Sequence, residues 1–383
     1  MIKRHLRPVR PFTPLLALLL GTLPLASQAQ SAYTLTTLRS PNGNAPVPHD
    51  MDNTGKVVGL YQVLGFNTTD GSLKLQYRST GVSWSASTAS SLTGSKAASN
   101  YIPLKVNATG TTVGFKTSAA SFTFSGDPIL EKAGKLTALT YTNPGDAPGP
   151  VMLGSINSSG VVVGTASNNG RSAVLMKPGQ IRYLERLPNH QSTFGNSVND
   201  QEQVAGAVLL NNSDLPPGVF YDLRAAVWTN GKLSWLAELQ TEARVINNAG
   251  QVLVAKTYSP QTGDGAGAIA LGVRDIRNDI KGSASVRLGS SIQTIGREDQ
   301  VVNPTDMNNS GTVVGCIDNV PFIWKNGVLL DLVKEVNSKG AKLPTNVIIE
   351  CPVAINDSGS ILISHRPSEF DFKSTLVRIN AKP

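Results

Sequence analysis

The chain of 383 residues is 40% hydrophobic, 16% charged and 6% aromatic, and its 34 Lys and Arg against 26 Asp and Glu give a formal net charge of +8. That is enough apolar material for a large core. Sparse charge, together with abundant Gly, Ser, Thr, Asn and Val, excludes a coiled coil, a helical bundle and a charged disordered chain, leaving an all-β body with many tight turns.

At the N-terminus, Lys3, Arg4, Arg7 and Arg10 precede and enter an apolar stretch around Leu15 to Leu25, which ends in Ala26-Ser27-Gln28-Ala29. A basic start, a short apolar core and small residues at the −3 and −1 positions predict a secretory signal over residues 1–29, cut after Ala29. The stretch is too short to span a bilayer. Without it, 30 basic and 26 acidic residues remain, a balance of +4. No Lys/Arg run suited to tracking phosphates is left, so nucleic acid is not an expected partner. Residues 30–383 are expected to be a monomer with no integral membrane segment, either secreted or periplasmic.

Tyr33 to Leu38 reads as a strand without its own sheet. Seven copies of one pattern follow: an apolar residue, Asn or Asp, two small or polar residues, usually Gly, and a β-branched run. The turn residues are Asp52 and Gly55, Asn107 and Gly110, Asn157 and Gly160, Asn199 (with Glu202 at the Gly position), Asn247 and Gly250, Asn308 and Gly311, and Asn356 and Gly359. Asn or Asp opens a turn because its side chain accepts hydrogen bonds from the following backbone N–H groups. Gly three residues later takes the left-handed conformation that a type I turn with a bulge requires. At Glu202 the turn is expected to be looser or strained.

A second apolar segment with a Gly turn follows in at least four copies, as in Ile129 to Gly134, Val174 to Gly179, Ala226 to Gly231 and Phe322 to Gly327. Two of these turns are Asn-Gly, a strong hairpin signal. Each unit therefore holds four antiparallel strands in about 50 residues, which predicts a β-propeller of seven four-stranded blades. Thr375 to Ile379 reads as a third strand without its partner. The N-terminal strand should supply that partner and close the last blade.

The combination Ile-Asn-x-x-Gly-x-Val-Val-Gly with a later apolar-Trp-x-x-Gly strand resembles the HAF repeat of predicted extracellular bacterial proteins, best at residues 304–336 and 196–239. The chain departs from that family in lacking the His-Ala-Phe tripeptide, with Ser172-Ala173-Val174, Arg224-Ala225-Ala226 and Val320-Pro321-Phe322 in its place. The resemblance implies secretion and a repeat β fold, and brings no catalytic residues with it. The turns are also similar to the Asp-box hairpins of sialidase-type propellers, which are structural.

Candidate chemistry is thin. His49, His190 and His365 lack metal-site spacing. Gly265 to Ala270 matches a Gly-x-Gly-x-x-Ala pattern, but outside the strand and helix that would make it a dinucleotide site. Insertions are read near residues 62–80 and 259–300, the second carrying Asp264, Asp275, Asp279, Glu298 and Asp299. Cys316 and Cys351 lie about equally far from the turns of neighbouring repeats, and export makes a disulfide between them chemically reasonable, with two buried thiols as the other reading. No cofactor, metal or catalytic residue is assigned. The sequence thus reads as a binding scaffold for an extracellular protein or glycan. The alternative is a polysaccharide-degrading propeller enzyme, glycosidase or lyase, with acids drawn from 259–300. Three or more carboxylates, His or Tyr converging on a deep axial pocket would favour the enzyme.

Overall fold

A computed structural model describes residues 32–40, 46–67, 74–92, 100–117, 128–139, 151–167, 171–186, 192–210, 222–256, 281–368 and 374–382. The signal segment, His190, the Gly-x-Gly-x-x-Ala stretch, Asp264, Asp275 and Asp279 lie outside the described residues.

The repeat dictates the architecture. Each Asn or Asp turn joins an inner strand to the β-branched run, and each second Gly turn joins the third strand to an outer fourth. In the sixth unit these strands are Val302–Met307, Val313–Ile317, Val320–Lys325 and Val328–Asp331, paired antiparallel in that order. The inner strands of the first five units are Pro46–Met51, Asn100–Val106, Val151–Ile156, Ser192–Val198 and Thr241–Ile246. Units three and four share one sheet through a single parallel bridge, Arg171 to Ser192. In the seventh unit Ile348–Ile349 and Ala354–Ile355 form a broken inner strand, followed by Ile361–Arg366 and Thr375–Ala381. Tyr33–Leu38 is its outer strand, pairing antiparallel from Tyr33 with Ala381 to Leu38 with Leu376. The ring is a β-propeller closed by its N-terminal strand.

The turn chemistry follows the expected physics. Gly55, Gly110, Gly160, Gly250, Gly311 and Gly359 all have φ between +76° and +85°. Glu202 adopts φ +56° and keeps the same bonds, its N–H donating to Asn199 O at 3.1 Å. That turn is strained rather than looser, and Lys177 and Arg182 pair with the Glu202 carboxylate at 2.7 and 2.9 Å. The second turns Ala133-Gly134, Asn230-Gly231 and Asn326-Gly327 have positive φ at both residues, as a two-residue hairpin of matching twist requires.

The Gly that ends the Val-Val-Gly run has a different reason. A β-bulge interrupts each of the first six inner strands. Opposite it the backbones close up, so that a Cβ on Gly114 would lie 1.9 Å from the Ile102 carbonyl oxygen. Apolar side chains of adjacent units pack between sheets, as where Leu253, Ala284 and Val286 of unit five meet Met307, Val313 and Trp324 of unit six. Trp84 and Trp228 donate their indole N–H to the carbonyls of Arg39 and Glu185, each just beyond the outer strand of the preceding unit.

The two insertions are smaller than the sequence suggested. Residues 62–80 mostly continue the paired strands Val57–Asn67 and Lys74–Trp84. Of 259–300, Ala284–Leu288 and Ser291–Ile295 are the regular third and fourth strands of unit five, because Gly289 supplies their turn. The extra length is therefore confined to 257–283. Among the described residues the one α-helix is Leu332–Ser338, capped by Asp331, and no helix is long and apolar enough to cross a membrane.

Candidate functional site

The seven turns converge at one end of the propeller axis around a cavity of about 180 Å³. Three consecutive residues of every repeat line it: the apolar residue, the Asn or Asp, and the residue after it. The Asn side chains are 2–5% exposed. Each Asn Oδ1 is engaged within its own turn; in Asn107 it accepts from the Thr109 and Thr111 N–H groups at 3.1 and 2.9 Å.

The Nδ2 groups do something the sequence reading missed. Asn107 donates to Asn157 O, Asn157 to Asn199 O, Asn199 to Asn247 O, Asn247 to Asn308 O, Asn308 to Asn356 O and Asn356 to Asp52 O, at 2.8–3.1 Å. Six junctions between units thus share one side-chain clasp. The signal was present in the sequence: Asp would serve the turn as well as Asn, yet six of seven copies use the amide.

The next residue of each repeat builds a second, exposed ring. The backbone N–H groups of Ser158, Asp200, Asn248, Asn309 and Asp357 donate in turn to the side chains of Asp200, Asn248, Asn309, Asp357 and Asn53. Ala108, with no side-chain oxygen, interrupts it. Asp200 also accepts from Ser158 Oγ and Asn248 Nδ2, and Asp357 from Asn53 Nδ2 and Asn309 Nδ2. Both carboxylates are therefore held by three donors each.

One step deeper, the bulges free the N–H of the apolar residue, and a side chain of the preceding unit accepts it. Asp50 takes Val106 N–H, Ser155 takes Val198, Ser197 takes Ile246 and Asp306 takes Ile355, at 2.8–3.2 Å. Burial, then the nearby Asp50 charge, raises the Asp306 pKa to about 6. His49, a bulge residue, donates through Nδ1 to Pro103 O at 2.7 Å, and burial lowers its pKa to about 4. It is a hydrogen-bonded strand residue, as its sequence context suggested.

Cys316 on the second strand of unit six and Cys351 in the break of the inner strand of unit seven are disulfide-bonded, with Cα atoms 5.5 Å apart. His365 lies at the far end of the second strand of unit seven, away from the axial turns. Glu298 accepts from Ser283 Oγ and Asp299 pairs with Arg297 at 2.9 Å, so these two acids join no common cluster. Among the described residues no group of three or more His, Cys, Asp or Glu is placed to hold a metal ion.

No protein-family model matches the chain. No curated protein matches it either. Solved structures do. The β-propeller domain of the Trilobed protease from Pyrococcus furiosus, which reveals an open velcro topology, superposes with a TM-score of 0.52 at 9% identity, over 87% of this chain and 97% of that one. YCF48 bound to D1 peptide matches at TM-score 0.46 and 10% identity over 92% and 96%. The polysaccharide lyase Uly1 matches at TM-score 0.41 and 9% identity over 93% and 98%. At these identities the likeness establishes the propeller fold alone, a fold shared by enzymes and binding proteins.

Proposed function

We propose that this chain is a secreted propeller of the HAF-repeat kind that acts as a monomeric scaffold, binding an extracellular protein or glycan. The observation that carries this reading is the state of the axial carboxylates. Three line the cavity, but Asp200 and Asp357 are each held by three donors from neighbouring turns, and Asp52 Oδ1 is held by its own turn. An acid or base must be free to exchange a proton with substrate; Asp200 and Asp357 are committed to the ring, which leaves one carboxylate with a free oxygen, Asp52, where glycoside hydrolysis uses two. Tight turns occupy the axial end just described. The second and third strands are joined at the opposite end, through as few as two residues, 318–319, in unit six, while 27 residues separate the same two strands in unit five. Uneven connections on a rigid frame are where propellers place contacts to partners.

The test is a panel of glycans, polysaccharides and extracellular proteins offered to residues 30–383, scored for both binding and product release. Saturable binding without turnover is expected. Release of cleaved or eliminated sugar would overturn the scaffold reading in favour of an enzyme.

A further inference from the structure

At the junction of units one and two the common clasp lacks its donor. Asp52, 3% exposed, stands where the other units carry Asn. Its Oδ1 accepts from Thr54 N–H, Thr54 Oγ and Lys56 N–H, as the Asn oxygens do. Its Oδ2 has no hydrogen-bond partner among the described residues, and it faces the turn of unit two, 3.9 Å from where a Cβ on Gly110 would sit. The Asn107 carbonyl, which by analogy with the other six should receive an amide, accepts only Gly110 N–H among the described residues. An unpartnered, charged carboxylate oxygen and a carbonyl with one donor fewer than its six equivalents are thus left at this junction.

The cavity favours a cation there. Among the described residues its charged lining is Asp52, Asp200 and Asp357. Lys56 donates to Gly110 O at 3.4 Å and Arg378 to Gly55 O; Arg378 also feels the Asp52 charge, but neither cation hydrogen-bonds Asp52 or lines the cavity. A metal ion is poorly served, since no set of three acidic, His or Cys ligands gathers among the described residues. An ammonium group suits the wall better. One of its N–H bonds can reach Asp52 Oδ2, another can supply the Asn107 carbonyl with the donor that an amide provides elsewhere, and its charge answers the carboxylate.

We propose that the gap between Asp52 and Asn107 is a binding site for a primary ammonium group, carried by a lysine side chain or by an amino sugar. The site lies at the axial-turn end and does not depend on where the scaffold holds its main partner.

The experiment titrates methylammonium into 15N-labelled residues 30–383 and follows the amide resonances of 52–56 and 107–111. Saturable shifts confined to those turns are expected, with tetramethylammonium, which has no N–H, binding at least tenfold more weakly. Asp52→Asn keeps the turn acceptor and restores the clasp donor, so it should fold and lose at least tenfold in methylammonium affinity. Nα-acetyl-lysine amide and glucosamine then compare the two sources, and tighter binding of either supports the site and names the source. Absence of saturation, equal binding of tetramethylammonium, tighter binding of calcium, or unchanged affinity in Asp52→Asn would overturn the proposal. The partner panel is read separately, so failure here leaves the scaffold reading standing.

Discussion

If the amide ring holds the units together, Asn157→Ala should be costly for a small polar residue in the cavity wall. Asn157 is 4% exposed; its Oδ1 accepts Val161 N–H at 2.8 Å and Ser159 Oγ at 2.9 Å, and its Nδ2 donates to Asn199 O at 3.0 Å. Truncation strips the buried Val161 N–H of its acceptor, and a buried polar group left unpaired costs about 1–3 kcal/mol. The Asn199 carbonyl keeps the Glu202 N–H and loses less. The expected total is about 2–4 kcal/mol, a large share of a typical folding stability of about 5–15 kcal/mol. Asn157→Asp separates the terms, because it keeps the turn acceptor and removes only the donor across the junction. It should cost about 1–2 kcal/mol, with some repulsion between the carboxylate and the carbonyl. Urea midpoints at constant m-value read both variants. If Asn157→Ala destabilises but Asn157→Asp does not, the residue serves its turn alone and the ring is not a clasp.

The two glycine classes should separate under the same assay. Gly160→Ala meets nothing within 4 Å and carries only the cost of φ +85°, about 1–2 kcal/mol, whereas Gly114→Ala drives a Cβ into the Ile102 carbonyl and should cost about 3 kcal/mol or more. Reducing the Cys316–Cys351 bridge, whose ends are 35 residues apart, should remove about 4 kcal/mol by loop-closure entropy; unchanged urea midpoints with and without reductant would refute this. His49 and Asp306 should oppose each other with pH. Unfolded His49 binds a proton below 6.5 but the folded side chain only below about 4, so its contribution to stability grows as pH rises from 4 to 6.5. Asp306 keeps its proton up to about 6 when folded and releases it near 3.8 when unfolded, so its contribution falls over nearly the same window. Stability profiles should therefore rise with pH in Asp306→Asn and fall in His49→Gln, by at most about 1.4 kcal/mol per pH unit, and matching slopes in the two variants would refute the pairing.

The propeller was legible because its information is local and repeated. An Asn turn and a Gly turn each constrain a few neighbouring residues, and their recurrence sets strand number and direction without any knowledge of distant contacts. The closure of the last sheet followed from the same count, with Tyr33 to Leu38 and Thr375 to Ile379 left over as unpaired halves. The preference for Asn was visible but the contacts it makes were not, because five of the clasps join residues 42–61 positions apart and the sixth residues 304 apart, through atoms the turn does not use. The reason for the Gly in Val-Val-Gly is hidden in a related way. That Gly follows the β-branched run in sequence but lies within the strand, opposite a bulge on a strand ten or more residues earlier. The insertion at 259–300 was drawn too wide because Ser283 to Ile295, with little Trp or Asn-Gly, resembles its equivalents only in strand pairing.

The placement of the donorless junction follows from how the ring is closed. Units seven and one meet where the chain ends, and there the contacts are dense. Tyr33–Leu38 pairs with Thr375–Ala381, Asn356 donates to Asp52 O, Asn53 and Asp357 exchange two bonds, and Arg378 reaches Gly55 O. Cys316–Cys351 ties unit seven back to unit six as well. A missing clasp there would weaken the only junction whose two units are not consecutive in the chain. Units one and two follow one another directly, so chain connectivity keeps them at high effective concentration, and they retain the Asp50 and His49 bonds into Val106 and Pro103. Substituting Asp for Asn at position 52 therefore removes a donor at a junction that the chain itself already holds. It leaves a charged oxygen without a hydrogen-bond partner at little risk to the ring.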